Sequence, residues 1–503
     1  MSTETQQNKA GSKKELYKYQ REDLTKIFDR IENCSNDYNL VYQLPTGGGK
    51  TVIFSEIAGR YIRDYKKKVL ILTHRIELSR QTSNMLEAMN VPNKVINSSV
   101  KHLDDQEDYS CFVAMVETLN NRLHEKAIHM RDIGLVIIDE AHYNSFRKLF
   151  KFFEQCFILG VTATPLSSNI KLPMKEIYQE LIVGHPISFL VKNGFLSKAT
   201  TYTYEVGLSS LKVGINGDYT VKSSEELYTT VNMQNKLLYS YEQHGKGKKT
   251  LIFNNGIMTS KHVYHTFLDK GYDIRHLDNH HTKRQRAEIL EWFRKKPDAI
   301  LSSVSILTTG FDEPSIRTII LNRATKSPAL YYQMIGRGSR ALPDKKTFDV
   351  IDLGNNAARF GLWAEELDWH LIFRSPEQYL ESLISDDEIE RQFKYRMPEE
   401  LRAKFAKSQS VDFDIYKAYK SAQSSGDKSS VVIDKSIEQH AKICVENSEE
   451  LIDALGLSRD LRFAISDRVR QYSYCISNST RNYRYWVEEE YMKKLRNLIK
   501  NSY

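Results

Sequence analysis

Short apolar runs separated by stretches of helical period limit how this 503-residue chain can fold more than any other feature. "LVYQL" (40–44), "VLILT" (69–73), "GLVIID" (134–139) and "FILGVTAT" (157–164) form one series. "TLIF" (250–253), "AILSSV" (299–304), "RTIIL" (317–321) and "FDVIDL" (348–353) form a second. Runs that are apolar throughout, rather than alternating, fit strands covered on both faces, the condition of a parallel sheet. Between the first two runs, Phe54, Ile57, Ala58, Tyr61 and Ile62 keep the spacing of one helix face. Alternation of this kind implies two α/β units, each a parallel sheet with helices on both sides. In the second unit Thr259 or Ser260 is expected to cap a helix that stops before Gly271, and Thr282 to cap another.

"PTGGGKT" (45–51) follows the first run and opens the first helix. Thr46, Gly47, Gly48 and Gly49 can turn their backbone N–H groups toward a polyphosphate, because glycine permits the required dihedrals and a close approach. Lys50 would then neutralise the outer phosphates, and the Thr51 hydroxyl would ligate Mg²⁺. Leu44 stands where the general phosphate-loop pattern has glycine, so a glycine-rich turn without a ligand is the alternative. The run "VIIDEAH" (136–142) weighs against that alternative. Its apolar strand ends in two adjacent carboxylates at the sheet edge where such folds bind ligands. Asp139 can hold the metal through water, and Glu140 can orient and deprotonate an attacking water. ATP and Mg²⁺ are the cofactors these two motifs imply.

With these motifs in place, the chain resembles the superfamily 2 helicases of the DEAD/DEAH-box type, over residues 16–361 and in family order. "YKYQ" resembles the motif whose glutamine, here Gln20, reads adenine. "PTGGGKT" has the family's own form of the phosphate loop, without the first glycine. "LILTHRIEL", "VAMVETL", "DEAH", "TATP", "LIFNN", "ILTTGFDEP" and "QMIGRGSR" follow. The resemblance implies two RecA-like domains. It makes Arg337 and Arg340 arginine fingers that act when the two units close, and gives Asp312 a contact with the ribose. It implies that His142, Thr162, Thr164 and Gln333 couple hydrolysis to the bound strand, and that Arg75, Thr118, Thr308 and Thr309 touch nucleic acid. Helix capping is the other reading of those threonines. "SPALYYQMIGRGSRALPDKK" and "VIDLGNNAARFG" look most like the RadD and XPB-related bacterial DNA-repair helicases. DNA is therefore favoured over RNA as partner. An RNA helicase, or a motor subunit of a restriction or anti-phage complex, is the alternative.

The balance of 72 Lys and Arg against 64 Asp and Glu is compatible with a polyanionic partner. The five cysteines are scattered singly without a CxxC pair, which excludes zinc-ribbon spacing and fits a reducing cytoplasm. No apolar run reaches membrane-spanning length. The expected organisation is a disordered lead-in at 1–15, a first RecA-like domain at 16–199, a connector at 200–243, a second RecA-like domain at 244–374 and a helical region at 375–503. Serine-rich residues 420–430 read as a linker inside that last region, which is a possible docking place for a protein partner. Near its end, Arg462, Arg468, Arg470, Arg481 and Arg484 interleave with Tyr472, Tyr474, Tyr483, Tyr485 and Trp486. That pattern suits phosphates and stacked bases, or a plain helical domain with solvated arginines. In the final helix Trp486, Tyr491, Leu495, Leu498 and Ile499 are available for packing.

Overall fold

The computed structural model describes residues 16–304, 307, 311–391, 393, 397–476 and 481–503. The expected lead-in at 1–15 lies outside them. Two compact units divide the chain, Met1–Asp386 and Asp387–Tyr503.

The first unit holds two sheets. Strands β1 (Asn39–Gln43), β2 (Lys68–Thr73), β3 (Lys94–Ile96), β4 (Cys111–Met115), β5 (Ile133–Asp139), β6 (Phe157–Thr162) and β7 (Glu180–Val183) form a seven-stranded sheet in the order β3-β4-β2-β5-β6-β1-β7. Strands β8 (Lys198–Thr203), β9 (Thr250–Asn254), β10 (Ile274–Leu277), β11 (Ile300–Ser303), β12 (Thr318–Asn322) and β13 (Thr347–Asp352) form a six-stranded sheet in the order β10-β11-β9-β12-β13-β8. Every pairing between these strands is parallel. Each run picked out for its continuous apolarity is a buried strand, because helices cover both faces of each sheet. On the first sheet Leu40, Tyr42, Ile71 and Leu159 pack on one face while Val41, Leu70, Leu72 and Ile158 pack on the other. Each such side chain contributes about 1.5–3 kcal/mol by leaving water.

Two expectations about this unit are corrected. Residues 200–203 are not part of a separate connector, because β8 pairs with β13 along the edge of the second sheet. Its partner could not be read locally, since pairing is a long-range choice. The turn that follows is fastened to the same lobe: the Asp218 carboxylate accepts from Lys326 N at 2.7 Å and Thr325 Oγ1 at 2.7 Å. Thr259 and Ser260 do not cap their helix, which starts one turn earlier at Ile257 after Gly256 and does stop short of Gly271. The Ser260 hydroxyl turns instead to His276 Nδ1, 2.7 Å away. Thr282 caps as expected, in a reciprocal arrangement with Gln285.

The second unit is helical, with its longer helices at Ile415–Ser424, Ser430–Glu446, Leu451–Asp460, Arg462–Cys475 and Arg481–Lys500. Residues 420–430 are not a linker. They close one helix and open the next, and Phe405, Val411, Ile415 and Ala422 share a single core with Ile437, Ile465 and Leu495. Arg468 and Tyr472 are buried rather than solvated. Arg468 donates to Gln439 Oε1 at 2.8 Å and Val411 O at 2.8 Å and lies over the Phe413 ring. These two therefore serve the core of the helical unit and not a nucleic-acid grip. In the last helix Tyr491, Leu495 and Ile499 pack inward, whereas Trp486 is 57% and Leu498 37% exposed.

A chain cut after residue 430 loses most of that core. In the shortened chain, limited proteolysis is expected to cleave within 397–424 at protease levels that leave the full chain intact there; equal resistance would place the boundary back at the serine-rich turn.

Candidate active site between the two lobes

Helix α1 (Lys18–Asn33), β1, the glycine loop and helix α2 (Lys50–Tyr65) build one side of the site. Gly47 and Gly49 have φ of 92° and 91°, a region that costs a side chain dearly. A Cβ on Gly49 would lie 2.5 Å from Gln20 Nε2. Tyr19 Oη and Gln20 Nε2 both donate to Gly48 O, at 2.7 and 3.3 Å. Gln20 Oε1 accepts from Tyr17 N, so this buried amide braces the loop from behind.

Asp139 ends β5, and Glu140 follows with φ of 54°, a left-handed corner unusual for a residue with a side chain. Ala141 N donating to Val161 O at 3.0 Å and Tyr143 N to Glu140 O at 3.1 Å hold that corner. Burial, then the neighbouring Glu140 charge, pushes the Asp139 carboxyl up to about 7. Burial also acts to raise Glu140, but Lys50, His142, Arg337 and His74 together hold it below its ordinary value. Loss of water pulls Lys50 down against the attraction of the two carboxylates. It brings Arg337 to about 10, still a cation at neutral pH.

The second lobe supplies the opposite side. Arg337 Nη1 donates to Phe311 O at 2.7 Å. Arg340 bridges: its Nε donates to Asp312 Oδ1 at 3.0 Å and its Nη1 to Gly47 O at 3.0 Å. Asp312 thus faces Arg340, where the resemblance implied a ribose. The fit around the loop is close, since a Cβ on Gly47 would stand 2.8 Å from both Leu196 Cδ2 and Ser339 Oγ, and one on Gly336 2.6 Å from Thr46.

A short hydrogen-bonded chain begins beside the carboxylates, at His142. His142 Nδ1 lies 3.4 Å from Glu140 Oε2 and 2.9 Å from Thr162 Oγ1. The Thr162 hydroxyl donates to Thr164 O at 3.1 Å, which leaves the histidine proton on Nδ1. Burial lowers the pKa of this imidazole, against the pull of Glu140. Gln333 is buried, and its Nε2 has no hydrogen-bond partner among the described residues. With Arg75, His142, Ser168 and Asp218 it lines a cavity of about 400 Å³ between the lobes. Thr118 is in the first turn of the helix Val116–His124 but does not cap it, because Met115 holds that position. Thr308 and Thr309 lie outside the described residues.

Sequence reasoning missed the aromatic support. Tyr17 and Tyr19 pack on Phe195 at ring distances of 4.6 and 5.0 Å, tying the start of α1 to the crossing into the second lobe. It also missed Tyr143, whose ring lies 4.3 Å from both His74 and His142. The aromatic residues around Gln20 were a usable signal; nothing local marked Phe195.

The residues present suit a magnesium–nucleotide substrate. The loop offers a phosphate cradle beside a lysine, and Glu140 Oε2 is buried without a hydrogen-bond donor among the described residues. Thr51 and Asp139 would hold the metal, which supplies charge for the transferring phosphoryl group. The fold and site together define a two-lobed α/β protein whose residues suit a nucleotide at the boundary between the lobes.

Residues 13–167 match the family described as "Type III restriction enzyme, res subunit", and residues 230–342 match "Helicase conserved C-terminal domain". The Saccharomyces cerevisiae "Putative ATP-dependent helicase IRC3" is 30% identical over 349 residues, 64% of this chain and 50% of that protein. The chain thus spans half the length of that relative. A fragment of an HsdR subunit of a type I restriction enzyme from Vibrio vulnificus is similar in fold, with a TM-score of 0.52 at 20% identity over 68% of this chain and 64% of that one. The type ISP restriction-modification enzyme LlaBIII, solved bound to DNA, has a TM-score of 0.52 at 15% identity, covering 98% of this chain and 40% of its own. The first match falls on the first lobe and the second on the second lobe, which supports the resemblance to the superfamily 2 helicases.

Removing Arg340 is expected to lower ATP turnover by about 10³-fold or more while nucleotide affinity changes little, because its charge matters as the transition state forms. A loss of affinity at unchanged turnover would contradict this. In Thr162→Val the link from His142 to Thr164 is broken with little change in volume. Basal hydrolysis should persist while stimulation by nucleic acid is lost, which a comparison of the two rates on one preparation reads out.

Proposed function

We propose that the chain is a DNA translocase or helicase that couples ATP hydrolysis to movement on duplex or branched DNA, in repair or recombination. The observation that carries this reading is Arg340 of the second lobe donating to Gly47 O in the phosphate loop of the first. Charge complementary to the developing transition state is assembled from both lobes, so hydrolysis reports their closure. Closure in turn shifts a strand held across both. In this reading Lys50 and Thr51 take the outer phosphates and Mg²⁺, Asp139 orders the metal, Glu140 activates water, and Arg337 and Arg340 stabilise the transition state. Gln20 reads adenine only after its amide releases Gly48 or shares that contact. His142, Thr162, Thr164 and Gln333 carry the signal toward Arg75 and Thr118.

DNA is preferred to RNA because "GRGSR" departs from the "GRxGR" ending common in RNA helicases, and because 327–361 resemble the RadD and XPB-related branch. The DNA in the LlaBIII structure belongs to that protein, and only its fold is shared. A second reading, the motor subunit of a restriction or anti-phage complex, is favoured by the family match at 13–167. In that case the helical unit docks the partner.

ATPase rates with single-stranded DNA, duplex DNA, forked DNA and RNA of equal length, measured side by side, test the substrate. Forked or duplex DNA is expected to stimulate most, and RNA to leave the rate near its basal value. Greatest stimulation by RNA would overturn the DNA assignment.

A further inference from the structure

Three side chains at the end of β10 converge without serving the ATP site. His276 is on the strand, and Asp278 and His281 follow in the turn before the helix Lys283–Lys295. His276 Nε2 lies 3.0 Å from Asp278 Oδ2, and His281 Nδ1 lies 2.9 Å from Asp278 Oδ1. One ligand atom from each residue falls within 4.8 Å of the other two. The contacts are not all compatible with protons alone. His281 Nδ1 accepts from Asp278 N at 3.2 Å, yet the same nitrogen faces the carboxylate oxygen, to which it would have to donate. A neutral imidazole cannot do both with one ring nitrogen.

We propose that His276, Asp278 and His281 form a binding site for a divalent transition-metal ion of the zinc type. Two imidazoles and a carboxylate suit such an ion and not magnesium. Ligands about 2.0–2.1 Å from zinc in a tetrahedron stand roughly 3.4 Å apart, so modest side-chain rotations close the present spacing around an ion. The far side of His276 is already braced. Its Nδ1 meets Ser260 Oγ at 2.7 Å, and Ser260 Oγ meets Ser302 Oγ at 2.8 Å, the outer hydrogen bonding that orients a ligating histidine. His281 is partly exposed, which leaves a path for the ion and a fourth position for water. The site fastens the turn that begins the helix Lys283–Lys295. On that helix Arg286 Nη1 reaches Glu77 Oε1 of the first lobe at 3.4 Å. The ion thereby steadies one of the contacts between the lobes. This inference does not depend on which nucleic acid the motor uses.

The test titrates chelator-treated full-length protein with ZnCl₂ in excess Mg²⁺, by calorimetry and by the shift in melting temperature. One zinc ion per chain is expected to bind and to raise the melting temperature. Asp278→Asn and His281→Ala should abolish that event, Ser260→Ala should weaken it on the order of ten- to a hundredfold, and His280→Ala should bind like wild type. His281→Ala lies at the rim, and its circular dichroism spectrum checks that it folds. Absence of stoichiometric zinc binding, or binding that survives in folded His281→Ala, overturns the proposal.

Discussion

Two carboxylates buried side by side at the end of β5 set the terms for everything built around them. Asp139 and Glu140 cannot both stay ionised away from water without cations in reach, and Asp139 already sits up at about 7. Lys50 is the cation their own lobe supplies close by. Arg337 and Arg340 come from the other lobe, and their fields bear on the same group of charges. The electrostatic balance of the site is therefore a property of the lobe pair. In the proposed function that gives a physical reason for placing hydrolysis in a cleft: the charge that hydrolysis needs is also the charge that draws the lobes together.

Local chemistry decided what could be read from sequence. The glycine loop and the "DEAH" strand end were legible because each is a short contiguous stretch whose residue types have few other uses. Continuous apolar runs found the central strands for a similar reason. The strands β3, β7 and β10 were not picked out, since at three or four residues each they carry too little pattern, and the five-residue β4 was missed as well. Most of β8 fell inside the expected connector, because the choice of β13 as neighbour depends on the whole fold.

Polar residues were the harder case. Arg468 has the composition of a phosphate grip, but its guanidinium is held by a carbonyl and an amide more than twenty residues away. Ser260 looked like a cap and bonds a histidine on a neighbouring strand. In each instance the side-chain chemistry was read correctly and the partner was not, because that partner is brought near only by tertiary packing.

The crossing between the lobes has a mechanical meaning. Phe195 is held by the aromatics of the first lobe, Leu196 touches the phosphate loop, and by Lys198 the chain is already a strand of the second sheet. This passage is only a few residues long and lies beside Gly47. A rotation of one lobe about such a fulcrum moves atoms in proportion to their distance from it. In the proposed motor the arginines near the pivot would travel little while the outer rims sweep through a larger arc: a short lever at the fuel and a long one at the load.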